Sequence, residues 1–300
     1  MVNIMAKRQR LHVILVNFRT PELTIRSVGS IRERGIAKAE NITVVENCSG
    51  DDSMRLMQTA MPDIEIKASL VNGGFGAGVN FGAAGIDADY LLILNPDTYF
   101  EMDSVTPVLD HMDAMPDIGI AGLDLINPDG SRQYGARRFY SVLDIATRRF
   151  GQLRPLMKSR INRHLMLDET DRGEPFNAEW VMGTGFIIRR DLFNRLGGME
   201  ENYFLYMEDV DLCARTWMSG RRVVYFPGLP LVHDHQRQSA ASPLSFAGRA
   251  HIRSLLLFAR RFHLPLFRSP GIANIISSGR KKRWSEEPPT NVFTTTSIDL

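Results

Sequence analysis

Three short, mostly apolar runs, residues 11–16 (LHVILV), 42–45 (ITVV) and 91–94 (LLIL), each stop on polar residues: Asn17, Glu46 and the triplet Asn95-Pro96-Asp97. Runs this brief read as strands buried on both faces, the habit of parallel sheets. Helical stretches separate them. Thr20-Pro21-Glu22 is a helix-start signature, and the pattern that follows closes at Gly35. The turn Glu46-Asn47-Cys48-Ser49-Gly50-Asp51-Asp52-Ser53 can cap a second helix, and residues 64–71 form a weaker strand. The alternation predicts an α/β fold, a mostly parallel mixed sheet flanked by helices. Ligands of such sheets sit beyond the carboxyl ends of the strands, which places Asn17, Glu46 and Asp97 along one edge.

Further along, residues 135–175 are basic and read as helix and loop covering that edge. Regular pattern returns at residues 180–188, Arg189-Arg190-Asp191 opens another helix, and residues 223–226 and 231–232 read as two late strands. The expected organisation is one unit over residues 1–240, in halves of about 10–125 and about 126–240, with a basic helical insert at 137–175. A basic amphipathic extension (241–284) and a disordered tail (285–300) follow.

The net charge of +2 hides a polarity, because residues 236–284 hold ten arginines and lysines and no acid. Ile252, Leu255, Leu256, Ala259 and His263 share one helical face there, with Arg249, Arg253 and Arg260 beside it. Two readings of 249–283 stay open: the apolar face packs on the preceding unit, or the segment meets an anionic membrane surface. No recognised motif supports nucleic acid as a partner. Two cysteines, Cys48 and Cys213, beside 14 methionines suit a reduced interior. Residues 1–10 lack the apolar core of a signal peptide, and no stretch nears the ~18 apolar residues of a membrane span. The expected location is cytoplasmic, at most peripheral on the inner face of the membrane.

Four groups of residues can carry chemistry. Asp97, on a short turn after a strand, can hold a hard divalent cation, or Asn95-Pro96-Asp97 is simply a turn. Glu208-Asp209-Val210-Asp211 follows the aromatic run Tyr203-Phe204-Leu205-Tyr206. Its acids complement a helix N-terminus, or one of them serves as a general base beside a bound sugar. His233 ends a strand, and an imidazole there packs as an ordinary side chain or completes a metal site with Asp97. The glycines of residues 72–82 (NGGFGAGVNFG) fit neither a dinucleotide fingerprint nor a Walker loop; they serve close packing or ligand contact.

In this order, Val16-Asn17-Phe18, Val44-Val45-Glu46-Asn47-Cys48-Ser49, residues 72–82 and Leu94-Asn95-Pro96-Asp97 resemble family 2 glycosyltransferases of the GT-A fold. So do Trp180-Val181-Met182-Gly183, Gly197-Gly198-Met199-Glu200-Glu201, residues 204–213 (FLYMEDVDLC) and Val232-His233. The resemblance runs over about residues 10–260 and is to the rhamnosyltransferase-like branch. It implies that residues 1–240 are a catalytic domain with a nucleotide-binding half at about 10–125 and an acceptor half at about 126–240, and that Asn17, Glu46, Asn72, Asn80 and Asp97 bind the donor nucleotide. Asp97 and His233 would hold a divalent metal, Mn2+ or Mg2+. Asp209 matches the catalytic base, Glu208 its acceptor-holding neighbour, and Trp180 and Gly183 the wall between donor sugar and acceptor.

Three departures stand out. Asn95 replaces the first acid of Asp-x-Asp, Glu46 stands where Asp is usual, and the wording at Gly183-Thr184-Gly185 and Gly198-Met199-Glu200 differs mildly. The implied activity is inverting transfer of a sugar, with rhamnose from thymidine diphosphate favoured, to a saccharide or lipid-linked saccharide during cell-surface polysaccharide or glycolipid synthesis. A sugar-nucleotide nucleotidyltransferase is the rival, although its Gly-Thr-Arg loop is missing after Val16. A non-catalytic carbohydrate-binding protein of the same fold is the other.

Overall fold

The structure is a computed structural model and describes residues 9–149, 157–234, 246–262 and 264–281. The first half runs β1 (Gln9–Asn17), α1 (Pro21–Glu33), β2 (Ile42–Glu46), α2 (Ser53–Ala60), β3 (Glu65–Ala68), α3 (Phe75–Ala83) and β4 (Ala88–Leu94). A short β5 (Thr98–Tyr99), α4 (Val105–Ala114) and β6 (Ile118–Ile126) follow. Next come β7 (Ala136–Arg137), three short helices α5 (Val142–Arg149), α6 (Lys158–His164) and α7 (Leu167–Asp171), then β8 (Phe176–Asn177), β9 (Trp180–Val181) and β10 (Gly185–Arg189). The chain continues through α8 (Arg190–Arg195), α9 (Glu208–Met218), β11 (Arg222–His233), α10 (Phe246–Arg261) and α11 (Gly271–Lys281).

The main sheet has the order β3-β2-β1-β4-β10-β6-β11-β5, with β8 also on β11. Strands β3, β2, β1 and β4 are parallel, as are β6 and β11, whereas β10 runs antiparallel between β4 and β6. Alternation along β1 builds both layers. Ile14 and Val16 point into a core shared with Val79 of α3 and Leu212 of α9, while Val13 and Leu15 join Val28 and Ile31 of α1, Met57 of α2 and Val108 of α4. Two glycines let α3 lie close to the sheet: a Cβ on Gly78 or Gly82 would fall within 3 Å of Val16 or Ile14. For those two positions the packing reading holds.

Two expectations need correction. The late strands 223–226 and 231–232 are one twelve-residue strand, β11, whose register slips between Phe226 and Pro230. Gly228 takes φ +79 at the slip, and its N–H turns to the Asp124 carboxylate at 2.8 Å. A bulge keeps the strand continuous where the prolines remove ladder donors. The second correction concerns α10. Its packed face is Ser254, Phe258 and Phe262, whereas Ile252 and Leu256 are 46% and 56% exposed. Two phenylalanines bury more apolar area than the aliphatic face does, so the helix turns them inward. Arg249, Arg253 and Arg260 share the outward face with Ile252 and Leu256. His263 and the tail expected at 285–300 lie outside the described residues.

Candidate active site

The turn after β4 builds the first half of the site. Asn95 N–H donates to the Thr184 carbonyl at 2.9 Å, and the Thr98 hydroxyl closes the turn on the Asn95 carbonyl at 2.8 Å. Strand β5 then pairs with the end of β11, setting His233 opposite Thr98, while Asp234 N–H donates to the Asp97 carbonyl at 2.8 Å. This pairing brings His233 Nε2 to 3.2 Å from Asp97 Oδ2. Asp97 Oδ1 is buried with no hydrogen-bond partner. A carboxylate with an orphan oxygen beside an imidazole is a donor set that suits Mn2+ or a similar cation. Among the described residues no group of three or more His, Cys, Asp or Glu is placed to hold a metal ion.

Helix α9 supplies the second half. Tyr206 and Met207 both have left-handed backbones, at φ +67 and +73, and so reverse the chain just before Glu208. Asp209 is gripped by backbone: its Oδ2 accepts from Gly183 N–H and its Oδ1 from Val210 N–H, each at 2.8 Å. The third acid, Asp211, pairs with Arg215 and accepts from the Tyr203 hydroxyl inside the protein, a structural role. Glu208 Oε2 is buried and has no hydrogen-bond partner.

Burial raises the pKa of both members of the Glu208–Asp209 pair, with Glu208 pushed up to about 8 by desolvation and by the charge of Asp209. The two N–H donors and the nearby Arg137 guanidinium offset part of the rise at Asp209. The two carboxyl groups titrate as a pair, each disfavouring the charge of the other.

Backbone joins the two halves. Gly183, which holds Asp209, adjoins Thr184, which holds Asn95, and Gly185 pairs with Leu94 in the sheet. Asp209, Asp97 and His233 thus converge on the edge where β4 and β11 end.

The glycosyl transferase family 2 profile matches residues 12–197. The chain belongs to glycosyl transferase family 2. It is 28% identical to the N-acetylglucosaminyl-diphospho-decaprenol L-rhamnosyltransferase of Mycobacterium tuberculosis over 77% of this chain and 78% of the relative. Rhamnosyltransferase WbbL of Escherichia coli K12 is 26% identical over 63% of this chain and 70% of the relative. Among solved structures, the mannosyltransferase PcManGT of Pyrobaculum calidifontis, in complex with GDP-Man and Mn2+, aligns with a TM-score of 0.58 at 15% identity, over 92% of this chain and 74% of that one. GalNAc-T7 with UDP, GalNAc and Mn2+ aligns with a TM-score of 0.56 at 15% identity; this chain spans 48% of its length. The GT-A fold expected from the sequence is the fold observed.

The other site residues of this family 2 glycosyltransferase divide by position. At the ends of β1 and β2, Asn17 is wholly buried and serves as a brace: its Oδ1 accepts from the Thr24 hydroxyl at 2.9 Å. Glu46 Oε1 accepts from Ser49 N–H at 2.8 Å. Asn72 Oδ1 takes Asn47 Nδ2–H and Gly74 N–H, both at 3.0 Å, so Asn72 shapes the same edge. Asn80 is occupied elsewhere. Its amide clamps Met199 N and O, each at 2.8 Å, and reaches Glu201, beside a surface cleft lined by Arg190, Phe193 and Gly198. Trp180 is packed, with its ring 5.5 Å from Tyr140 and its Nε1–H on the Arg138 carbonyl.

Sequence reasoning missed Gln133, whose Oε1 lies 2.6 Å from His233 Nδ1. It missed Arg137 as well, a buried guanidinium that donates to the Gln133 carbonyl at 3.4 Å and so bridges the two halves. Nothing local in the sequence marks either residue.

Proposed function

We propose that this glycosyltransferase moves rhamnose from a nucleoside diphosphate to a hydroxyl of a lipid-linked saccharide during cell-surface polysaccharide synthesis, with inversion at the anomeric carbon. The observation that carries this reading is the joining of Asp209 to the Asp97–His233 pair through Gly183 and Thr184. The sugar and the acceptor class follow the relatives, both rhamnosyltransferases, one of them named for a decaprenol-linked substrate. The family match and the intact Asp97, Asp209 and His233 disfavour a nucleotidyltransferase or a non-catalytic binding protein.

In the reaction, Asp209 takes the proton of the acceptor hydroxyl as its oxygen bonds to the anomeric carbon and the carbon–diphosphate bond breaks. One displacement of this kind inverts the centre. Glu208, protonated, donates a hydrogen bond to the acceptor and holds it in line. Asp97 and His233 would hold a divalent cation, whose charge would stabilise the leaving diphosphate. The test is transfer from thymidine diphosphate rhamnose to a polyprenyl-diphosphate N-acetylglucosamine, with Mn2+ and then with chelator, reading the product anomer by NMR. Inverted product in Mn2+ alone supports the reading; retained configuration or chelator-insensitive transfer contradicts it.

The outward stripe of α10 supports attachment to an anionic membrane surface. Arg249, Ile252, Arg253, Leu256 and Arg260 lie at helical spacing on that stripe. Beyond the helix, Leu266 and Phe267 are 63% and 69% exposed although the Leu143 N–H and the Arg160 guanidinium fix their carbonyls. Apolar side chains held outward among arginines suit lipid head groups better than water. No helix among the described residues is long and apolar enough to cross a membrane. The Ser254 hydroxyl donates to the Leu205 carbonyl, tying this surface to the loop before Glu208. Flotation with phosphatidylglycerol vesicles tests it. The full chain should float, and the Arg249→Glu, Arg253→Glu, Phe267→Ser variant should not; equal flotation would contradict the assignment.

A further inference from the structure

We propose that Arg261 is a positioning residue for the reaction. Its guanidinium clasps both ends of the segment 200–211 and so holds the loop that delivers Glu208 and Asp209. The proposal deepens the reaction set out above and rests on it for the role of Asp209 as base.

The backbone of the segment is what calls for a clasp. Tyr206 and Met207 take φ +67 and +73, in the left-handed region where a Cβ crowds the following carbonyl. Two such residues in a row persist only where their surroundings hold them. The turn they make starts α9 with Glu208 buried and Asp209 Oδ2 on the Gly183 N–H. If the turn relaxes, the Asp209 carboxylate leaves that donor.

From one side the loop is secured by α3 and the residue before it. Asn80 clamps Met199 N and O, and a Cβ on Gly74 would strike the Phe204 carbonyl, so close do those backbones lie. From the other side it is secured by α10. His251, Ser254, Phe258 and Arg261 follow one another at steps of three, four and three, which puts them on one stripe of the helix. The His251 ring lies 4.9 Å from the Tyr206 ring, and the Ser254 hydroxyl donates to the Leu205 carbonyl at 2.9 Å. Arg261 Nη1 pairs with Glu200 Oε2 and stands 3.4 Å from Asp211 Oδ2. Glu200 comes before the turn and Asp211 after it, so a single nitrogen spans the segment.

Burial makes that contact consequential. Asp211 is fully buried, with Arg215 Nε at 2.5 Å on Oδ1 and the Tyr203 hydroxyl at 3.2 Å on Oδ2. Arg215 in turn donates to the Leu196 and Gly198 carbonyls, each at 2.8 Å. Two guanidiniums thus face two carboxylates. Removing Arg261 from these four groups leaves two carboxylates to one guanidinium, an imbalance that a buried site tolerates badly. Arg253 and Arg260 of the same helix are exposed, so it is the stripe that singles out Arg261.

The experiment uses the full chain. Hydrogen exchange read by mass spectrometry needs no substrate and comes first. In Arg261→Met, peptides over 203–211 should exchange about tenfold to a hundredfold faster, the effect of losing a charged hydrogen bond, while β1 and β4 keep their wild-type protection. Ser254→Ala, a milder change on the same stripe, should speed the same peptides about threefold. In kinetics, kcat for rhamnose transfer should fall about tenfold to a hundredfold in Arg261→Met, with thymidine diphosphate affinity in Mn2+ within about twofold of wild type. Arg261→Lys, which returns a cation to that place, should recover most of the lost rate. A residue that only stabilised the fold would lower Tm and leave kcat per folded molecule unchanged. That result would overturn the proposal, as would exchange over 203–211 that is unchanged in either variant or matched by equal acceleration in β1 and β4. A wild type without rhamnose transfer, beside faster exchange in Arg261→Met, would overturn the reaction set out above and leave the clasp standing, so the two failures are distinguishable.

Discussion

Gly183 donates its N–H to Asp209 Oδ2 at 2.8 Å across a gap too tight for a side chain unless Asp209 shifts: a Cβ on Gly183 would meet Asp209 Cβ at 3.1 Å and Oδ2 at 3.3 Å. The carboxylate proposed as the base is thus positioned by a backbone donor brought near by a glycine.

Gly183→Ala should press directly on Asp209 and turn its carboxylate. Small-to-large changes in packed sites cost about 1–3 kcal/mol, and misplacing a reacting group by about 1 Å costs about a hundredfold in rate. Steady-state kinetics should show kcat falling by about that factor, with donor KM changed far less. An unchanged kcat would mean that Asp209 is not held by this contact.

Glu208 makes stability depend on pH. Its folded pKa, about 8, lies above the ordinary 4.5 because burial and Asp209 disfavour its charge. Between those values the folded chain holds a proton that the unfolded chain has released. Stability is therefore highest at the acid end of the window and declines as pH rises through it. Asp209, also raised, adds in the same direction. Thermal melts across the window should show Tm falling with pH in the wild type and falling less in Glu208→Gln.

The Asp97–His233 pair should couple nucleotide binding to metal. Thymidine diphosphate at a hundred times its Kd stabilises a folded protein by about 2.7 kcal/mol, a shift readily seen in a melt. We expect that shift with Mn2+ present and its loss on chelation. Asp97→Asn and His233→Ala should each shrink it, while Asn80→Ala, remote from the pair, should leave its metal dependence intact.

Residues 11–16, 42–45 and 91–94 announced their strands because strands buried on both faces need mostly apolar runs, and the polar residues that stop them fall at the carboxyl edge of the sheet. Strand β11 read as two because Pro227-Gly228 looks like a terminator; only the pairing with β6 shows that the strand bulges and continues. The face of α10 was undecidable from periodicity, since Ile252 and Leu256 on one side compete with Phe258 and Phe262 on another, and what each meets is set elsewhere in the chain. The positions of Asp97, His233 and Asp209 at element ends were legible in the sequence, and the resemblance supplied the roles proposed for them. Gln133 was not, because its bond to His233 spans 100 residues and depends on a hairpin lying beside β11.

Asp209→Asn probes the division of labour between the two halves of the site most directly. The substitution keeps the shape and removes the base. With Mn2+ present, calorimetry should find the thymidine diphosphate rhamnose affinity within about twofold of wild type, while transfer to the acceptor falls by about a hundredfold to ten-thousandfold. Transfer near the wild-type rate, or loss of donor binding in step with activity, would contradict the account.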